Sequence, residues 1–118
     1  MSYIGGMAAP ILALEPPLPR GERIDLPGRG RSFARVVEGP PGAPTVLLLH
    51  GWIASGGLNW FNAFEPLSQR YTVVAPDFRG HGRGIRSRRR FRLADCADDV
   101  SVLLDHLGRH LAQDARAR

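Results

Sequence analysis

Lysine is absent from the 118 residues, and every one of the 16 basic side chains is arginine. Such usage reads first as a genome-composition effect. Cysteine occurs once, at Cys96, which excludes an internal disulfide framework and a multi-cysteine zinc site. It fits a reducing compartment, and a cytoplasmic location is expected. Long apolar runs are missing: Val46-Leu47-Leu48-Leu49 stops at His50, far short of the roughly 20 residues of a membrane span. There is no P-loop, no G-x-G-x-x-G and no metal-ligand spacing, so no metal is expected. The N-terminus carries no positive charge before Arg20, and Pro10, Pro16 and Pro17 interrupt it. It lacks the basic start and clean apolar stretch of a secretory signal. Residues 1–20 are read as an irregular extension, with Met7 as an alternative start.

What is present fits one soluble domain or part of one: 43% of residues are hydrophobic and 23% charged. The net charge is +5, and six of the ten residues from Arg83 to Arg92 are arginine. No aromatic interleaving or helix-turn-helix pattern accompanies this run. It is read as a solvated loop, with nucleic-acid binding as the weaker alternative.

Ile24 and Leu26 alternate with Arg23 and Asp25, Pro27-Gly28-Arg29-Gly30 supplies a turn, and Phe33 to Glu38 follows as a second extended piece. The pattern predicts a β-hairpin. Thr45–Leu49 is continuously apolar after its first residue, as expected of a strand covered on both faces. Ser55 then reads as a helix cap, with Leu58, Phe61, Phe64 and Leu67 at helical spacing and Pro66 limiting or restarting the helix. Tyr71–Ala75 is another short strand, ended by Pro76. Leu93, Cys96, Ala97, Val100, Leu103, Leu104 and Leu107 fall on one helical stripe, with Asp95, Asp98, Asp99 and Asp105 off it. Gly108 is the expected C-terminus of that helix. Strands alternating with helices mean a parallel sheet with crossover helices, made mixed by the hairpin.

In such sheets the ligand site lies beyond the carboxyl ends of the strands. Two loops qualify: His50-Gly51-Trp52, and Asp77-Phe78-Arg79-Gly80-His81-Gly82. Backbone N–H groups of the first could serve an oxyanion, although a tight turn explains Gly51 equally well. The second is read as a structural loop in which Asp77 and Arg79 satisfy backbone groups.

Taken together, these loops and the helix ending Leu-Leu-Asp-x-Leu-Gly resemble the α/β-hydrolase fold family over residues 22–108. The resemblance implies an α/β fold with a mostly parallel sheet. It also implies that Thr45–Leu49 is the third strand and Tyr71–Ala75 the fourth. His50 and Gly51 would support the oxyanion loop, and Trp52 would give an oxyanion donor through its backbone N–H. The family's next element is a strand ending in the nucleophile elbow G-x-S-x-G. Residues 109–118 hold no such strand and read as a tail outside the family pattern. Their Ala/Arg composition is that of an out-of-frame reading of a GC-rich gene. The expectation is therefore an incomplete hydrolase domain over residues 21–108, truncated before the elbow.

No residue takes the triad positions. Ser32 in Gly30-Arg31-Ser32-Phe33-Ala34 has a turn before it and a strand after it, the reverse of the elbow. Cys96 lies on the apolar stripe. His81 belongs to a structural loop, and His106 and His110 have no serine and carboxylate near them. The function implied is that of a hydrolase fragment, inactive alone, whose complete form cleaves a small ester, lactone, amide or similar bond. A nucleophile of Ser, Asp or Cys stays open, and the resemblance implies no cofactor, since the family's acyl-transfer chemistry uses side chains alone. In the family's order the third strand lies between the fourth and the fifth. Thr45–Leu49 would therefore expose one edge, leaving the chain marginal or sticky. This raises the alternative of a pseudoenzyme or interaction module that pairs with a protein partner, or with itself, through that edge.

Overall fold

The computed structural model describes residues 18–117, with side chains to Arg109. The N-terminal extension up to residue 17, with Met7, and the side chain of His110 lie outside the described residues.

The hairpin forms as β1, Gly21–Leu26, and β2, Gly30–Val37, in antiparallel register from Gly21 opposite Arg35 to Leu26 opposite Gly30. Gly28 takes φ 71° in the turn, where a side chain would be disfavoured. Two further strands are β3, Thr45–Leu47, and β4, Thr72–Asp77. The sheet order is β1-β2-β4-β3. It is mixed: β2 runs antiparallel to β4, and the parallel character rests on the β3–β4 pair.

Two strand boundaries differ from expectation. β3 stops at Leu47, although Leu48 N–H still donates to the Val74 carbonyl at 2.8 Å. The chain then leaves the sheet toward His50. β4 starts at Thr72 and runs through Pro76 to Asp77, because β2 still pairs there, Ala34 opposite Pro76 and Phe33 opposite Asp77. On its other side the ladder to β3 ends at Val74, so the missing proline N–H interrupts no β3 pairing.

The sheet is covered on both faces, as a continuous apolar run requires. Ile24, Leu26, Ala34, Val74 and Ile85 pack with Leu103 and Leu107 of the long helix on one side. Val73, Ala75 and Leu48 pack with Phe64 on the other, joined by half-buried Trp60 and Leu67. Successive β4 residues Val73, Val74 and Ala75 alternate between these two cores, and all six β4 residues are buried.

The helix expected after Ser55 is split into α1, Gly56–Trp60, and α2, Phe64–Ser68. Ser55 caps α1, its side chain accepting from Leu58 N–H at 3.1 Å. Pro66 sits in the first turn of α2, where its missing N–H interrupts no helical bond. The split turns Leu58 and Phe61 outward, 66% and 42% exposed, and brings Trp60 inward instead.

The last helix, α3, spans Leu93–Ala117 and does not end at Gly108. One glycine costs about 1 kcal/mol in a helix, and the Arg, Leu, Ala and Gln after it are strong helix formers. Its buried stripe is also shifted. Leu93 is 75% exposed and Ala97 is exposed, whereas Asp99 is buried with Cys96, Leu103 and Leu107. No helix among the described residues is long and apolar enough to cross a membrane.

Candidate functional site

The loops leaving β3 and β4 converge at the carboxyl ends of these two parallel strands. His50 ties them together. Phe78 N–H donates to His50 Nε2 at 2.9 Å, so Nδ1 carries the proton and donates to the Gly51 carbonyl at 2.8 Å. His50 is buried, and both ring nitrogens are engaged in this clamp. It supports the loop and is not poised to act as a base. Gly51 N–H donates to Asn59 Oδ1 at 2.6 Å, which pins the loop to α1.

Trp52 and Ile53 follow as an exposed turn, and Ile53 has φ 53°. A β-branched residue in this region is strained, a feature that concentrates at functional sites. Among the described residues, no hydrogen bond engages Trp52 N–H. The Trp52 ring meets His81 and Phe91 edge-on, with centroids 5.3 and 5.2 Å away. His81 in turn lies 5.3 Å from the His50 ring. Its Nδ1 is 3.1 Å from the Arg79 carbonyl, so it has the structural role expected of it while its ring also faces the cleft.

Between these loops lies an open cleft of about 530 Å³, lined by Trp52, Ile53, Ser55, Leu58, His81 and Phe91 among others. The lining is mostly apolar, as in small-molecule sites. Sequence reasoning missed Ile53, Leu58 and Phe91 as lining. The available signal was Phe91, which stands within the arginine run and corrects the reading of that run as free of aromatics.

Asp77 holds the second loop. Its Oδ1 accepts from Gly56 N–H at 2.8 Å and its Oδ2 from Arg83 N–H at 3.0 Å. This matches the expectation that Asp77 satisfies backbone groups. Arg79 does not do so. Its Nε and Nη2 form a bidentate pair with Asp99, both at 2.7 Å, and Arg29 Nε reaches the same carboxylate at 2.6 Å. The two arginines explain why Asp99 is buried on a helix face predicted to be apolar. Hydrogen bonding to Asp99 holds the Arg79 guanidinium above its ordinary value, against the opposing effect of burial. Arg79 therefore stays charged at any working pH.

The other nucleophile candidates are accounted for. Ser32 lies within β2, and its hydroxyl donates to the Ile24 carbonyl at 2.7 Å. Cys96 is buried, which pushes its thiol up from the ordinary value, aided by nearby Asp99. It is a core thiol. His106 lies on α3, outside the cleft lining.

Comparison with known proteins agrees with this geometry. The family model for the alpha/beta hydrolase fold matches residues 44–112. The magnesium-chelatase 30 kDa subunit of Rhodobacter capsulatus is 45% identical over 71 residues, 58% of this chain and 24% of that protein. The soluble epoxide hydrolase of Corynebacterium sp. (strain C12) is 42% identical over 63 residues, 53% of this chain and 22% of that protein. A solved structure of an epoxide hydrolase from hot-environment metagenomes superposes with a TM-score of 0.68 at 27% identity, covering 78% of this chain and 31% of that one. The chain thus spans about a quarter of the length of these two curated relatives. By its family match, its sheet order and the placing of its two loops, the chain belongs to the alpha/beta hydrolase fold family.

Proposed function

We propose that these residues form the oxyanion-donor and substrate-binding wall of a hydrolase site. In the complete protein that site cleaves a small ester, lactone, amide or similar bond, within a cytoplasmic setting. Similarity to epoxide hydrolases adds epoxides to the range of substrates. The observation that carries the reading is Trp52 N–H, unengaged among the described residues in a loop that His50 and Asn59 pin at a mostly apolar cleft. A fixed donor of this kind stabilises developing negative charge without reorganising, and losing one costs about 100- to 1,000-fold in rate. The covalent route also needs a nucleophile and a base. Among the described residues, Ser32 and Ser55 have their hydroxyls engaged by the backbone, Cys96 is buried and both ring nitrogens of His50 are taken. His81 faces the cleft but, among these residues, bonds to the Arg79 carbonyl and to no hydroxyl or thiol. The chain is therefore inactive by itself.

The test is a titration of the ¹⁵N-labelled chain with butyrate, whose carboxylate stands in for the oxyanion. The Trp52 amide is expected to shift downfield well beyond that of Gly51, and nitrophenyl butyrate to turn over at the buffer rate. An unmoved Trp52 amide would overturn the donor assignment. Turnover by the purified chain would overturn its inactivity.

A second reading rests on the sheet order. β3 is the terminal strand, paired only with β4 among the described residues. Its free edge would accept a strand from a protein partner or a second copy. Self-association in sedimentation that is lost on dilution, and is weakened by lysine at exposed Thr45, is the expected result. A monomer at all concentrations would remove the second-copy form of this reading.

A further inference from the structure

A second cleft, of about 270 Å³, is lined by Gly28, Arg29, Arg79, Ser87, Arg89 and Asp95. It shares no lining residue with the apolar cleft. Its walls come from three places far apart in sequence: the β1–β2 turn, the loop after β4, and the first turn of α3. Two of its guanidiniums are fixed before any ligand arrives. Asp99 holds Arg79 through Nε and Nη2, and it holds Arg29 through Nε, while Arg29 Nη2 donates to the Asp95 carbonyl at 3.2 Å. Among the described residues, no hydrogen bond engages Nη1 of either arginine or the side chain of Arg89. Arg79 is nine-tenths buried as a residue, yet its Nη1 stays open to solvent at the cleft, because among the described residues the one buried side-chain polar atom left unpaired is Trp60 Nε1.

We propose that this cleft binds the phosphoryl group of a small molecule. The lining carries three guanidiniums and the Asp95 carboxylate, and Arg29 and Arg79 also pair with Asp99, so three positive charges meet two negative ones and the cleft is net positive. Planar guanidinium forks match phosphate oxygens, and side chains already held in place lose little freedom on binding. The cleft is smaller than the roughly 300–1,000 Å³ that encloses a drug-sized ligand. It suits a head group, with the rest of the molecule in solvent. The arginine run alone would favour a nucleic-acid backbone. The geometry favours a compact site, because Arg29 and Arg79 come from outside the run and are the two that are fixed. Asp95 opposes the ligand, and its removal should tighten binding.

The probe is inorganic pyrophosphate, titrated calorimetrically into the intact chain, with the shift in Tm as a second readout. One-to-one binding is expected. Arg89→Ala should weaken it about 3- to 10-fold, and Asp95→Asn should tighten it. Arg89 is exposed with no side-chain hydrogen bond among the described residues, so its variant keeps the fold. Arg88→Ala lies in the same run but does not line the cleft, and it should change the affinity little. Equal losses from Arg88→Ala and Arg89→Ala would show diffuse attraction and overturn the site. So would the absence of saturation by about 10 mM pyrophosphate. Tight binding of a single-stranded oligonucleotide, with a steep salt dependence and no pyrophosphate binding, would replace it with nucleic-acid recognition.

Discussion

Asp99→Ala is expected to destabilise the chain by about 3–5 kcal/mol, the cost of leaving a buried guanidinium without its partner. Arg79 and Asp99 expose only 10% and 11% of their side chains, so solvent cannot take over when the carboxylate goes. Arg29 loses its partner as well, but it is 24% exposed and can turn outward. Whole domains are stable by about 5–15 kcal/mol, so this one change removes a large share. The Arg31–Asp25 pair supplies the control. Its side chains are 64% and 75% exposed, and Asp25→Ala should cost under about 1 kcal/mol. Because the loss comes from an orphaned charge, the double change Arg79→Met, Asp99→Leu should recover part of it. Urea unfolding followed by circular dichroism decides the matter. An Asp99→Ala variant as stable as Asp25→Ala would show that the buried pair contributes nothing.

That pair also marks the limit of what could be read from the sequence. The hairpin, β3, β4 and the long helix were legible because each rests on a local period or on a glycine turn. The converging loops were legible because strands alternating with helices place their carboxyl ends together. Asp99 was not, since its burial depends on arginines 70 and 20 residues away, and a charge off an apolar stripe reads as solvated. Leu58 and Phe61 kept helical spacing, yet the break between α1 and α2 rotated them into the open. Gly108 has the form of a stop signal, but the helix formers after it outweigh one glycine. In the site, the positions of His50, Gly51 and Trp52 followed from the strand before them. The His50 bond to Phe78 crosses 28 residues and leaves no local trace.

Asp77→Ala is expected to cost about 3 kcal/mol or more, because its carboxylate accepts two backbone N–H groups and bonds to a charged acceptor are worth about 1.5–3 kcal/mol each. Gly56 is buried, so its N–H is left without a partner when the carboxylate goes. Gly82→Ala should approach the same cost by a different route. A Cβ at Gly82 would sit 2.4 Å from Asp77 Oδ2 and 3.0 Å from Ser55 Cβ, and φ there is +47°. The left-handed backbone alone costs alanine about 1–2 kcal/mol. The rest comes from displacing the carboxylate, which breaks the Gly56 and Arg83 bonds that Asp77→Ala breaks. The two changes therefore remove one device, and the double variant should cost less than their sum by about 1–3 kcal/mol. A double-mutant cycle from urea unfolding measures this, and additive costs would refute the shared device. The consequence reaches the apolar cleft, because Asp77 joins Gly56, beside cleft residue Ser55, to Arg83, beside cleft residue Gly82. Each single variant should therefore also disturb the environment of the Trp52 indole against His81, read by its fluorescence, whereas the distant Asp25→Ala should leave that signal unchanged.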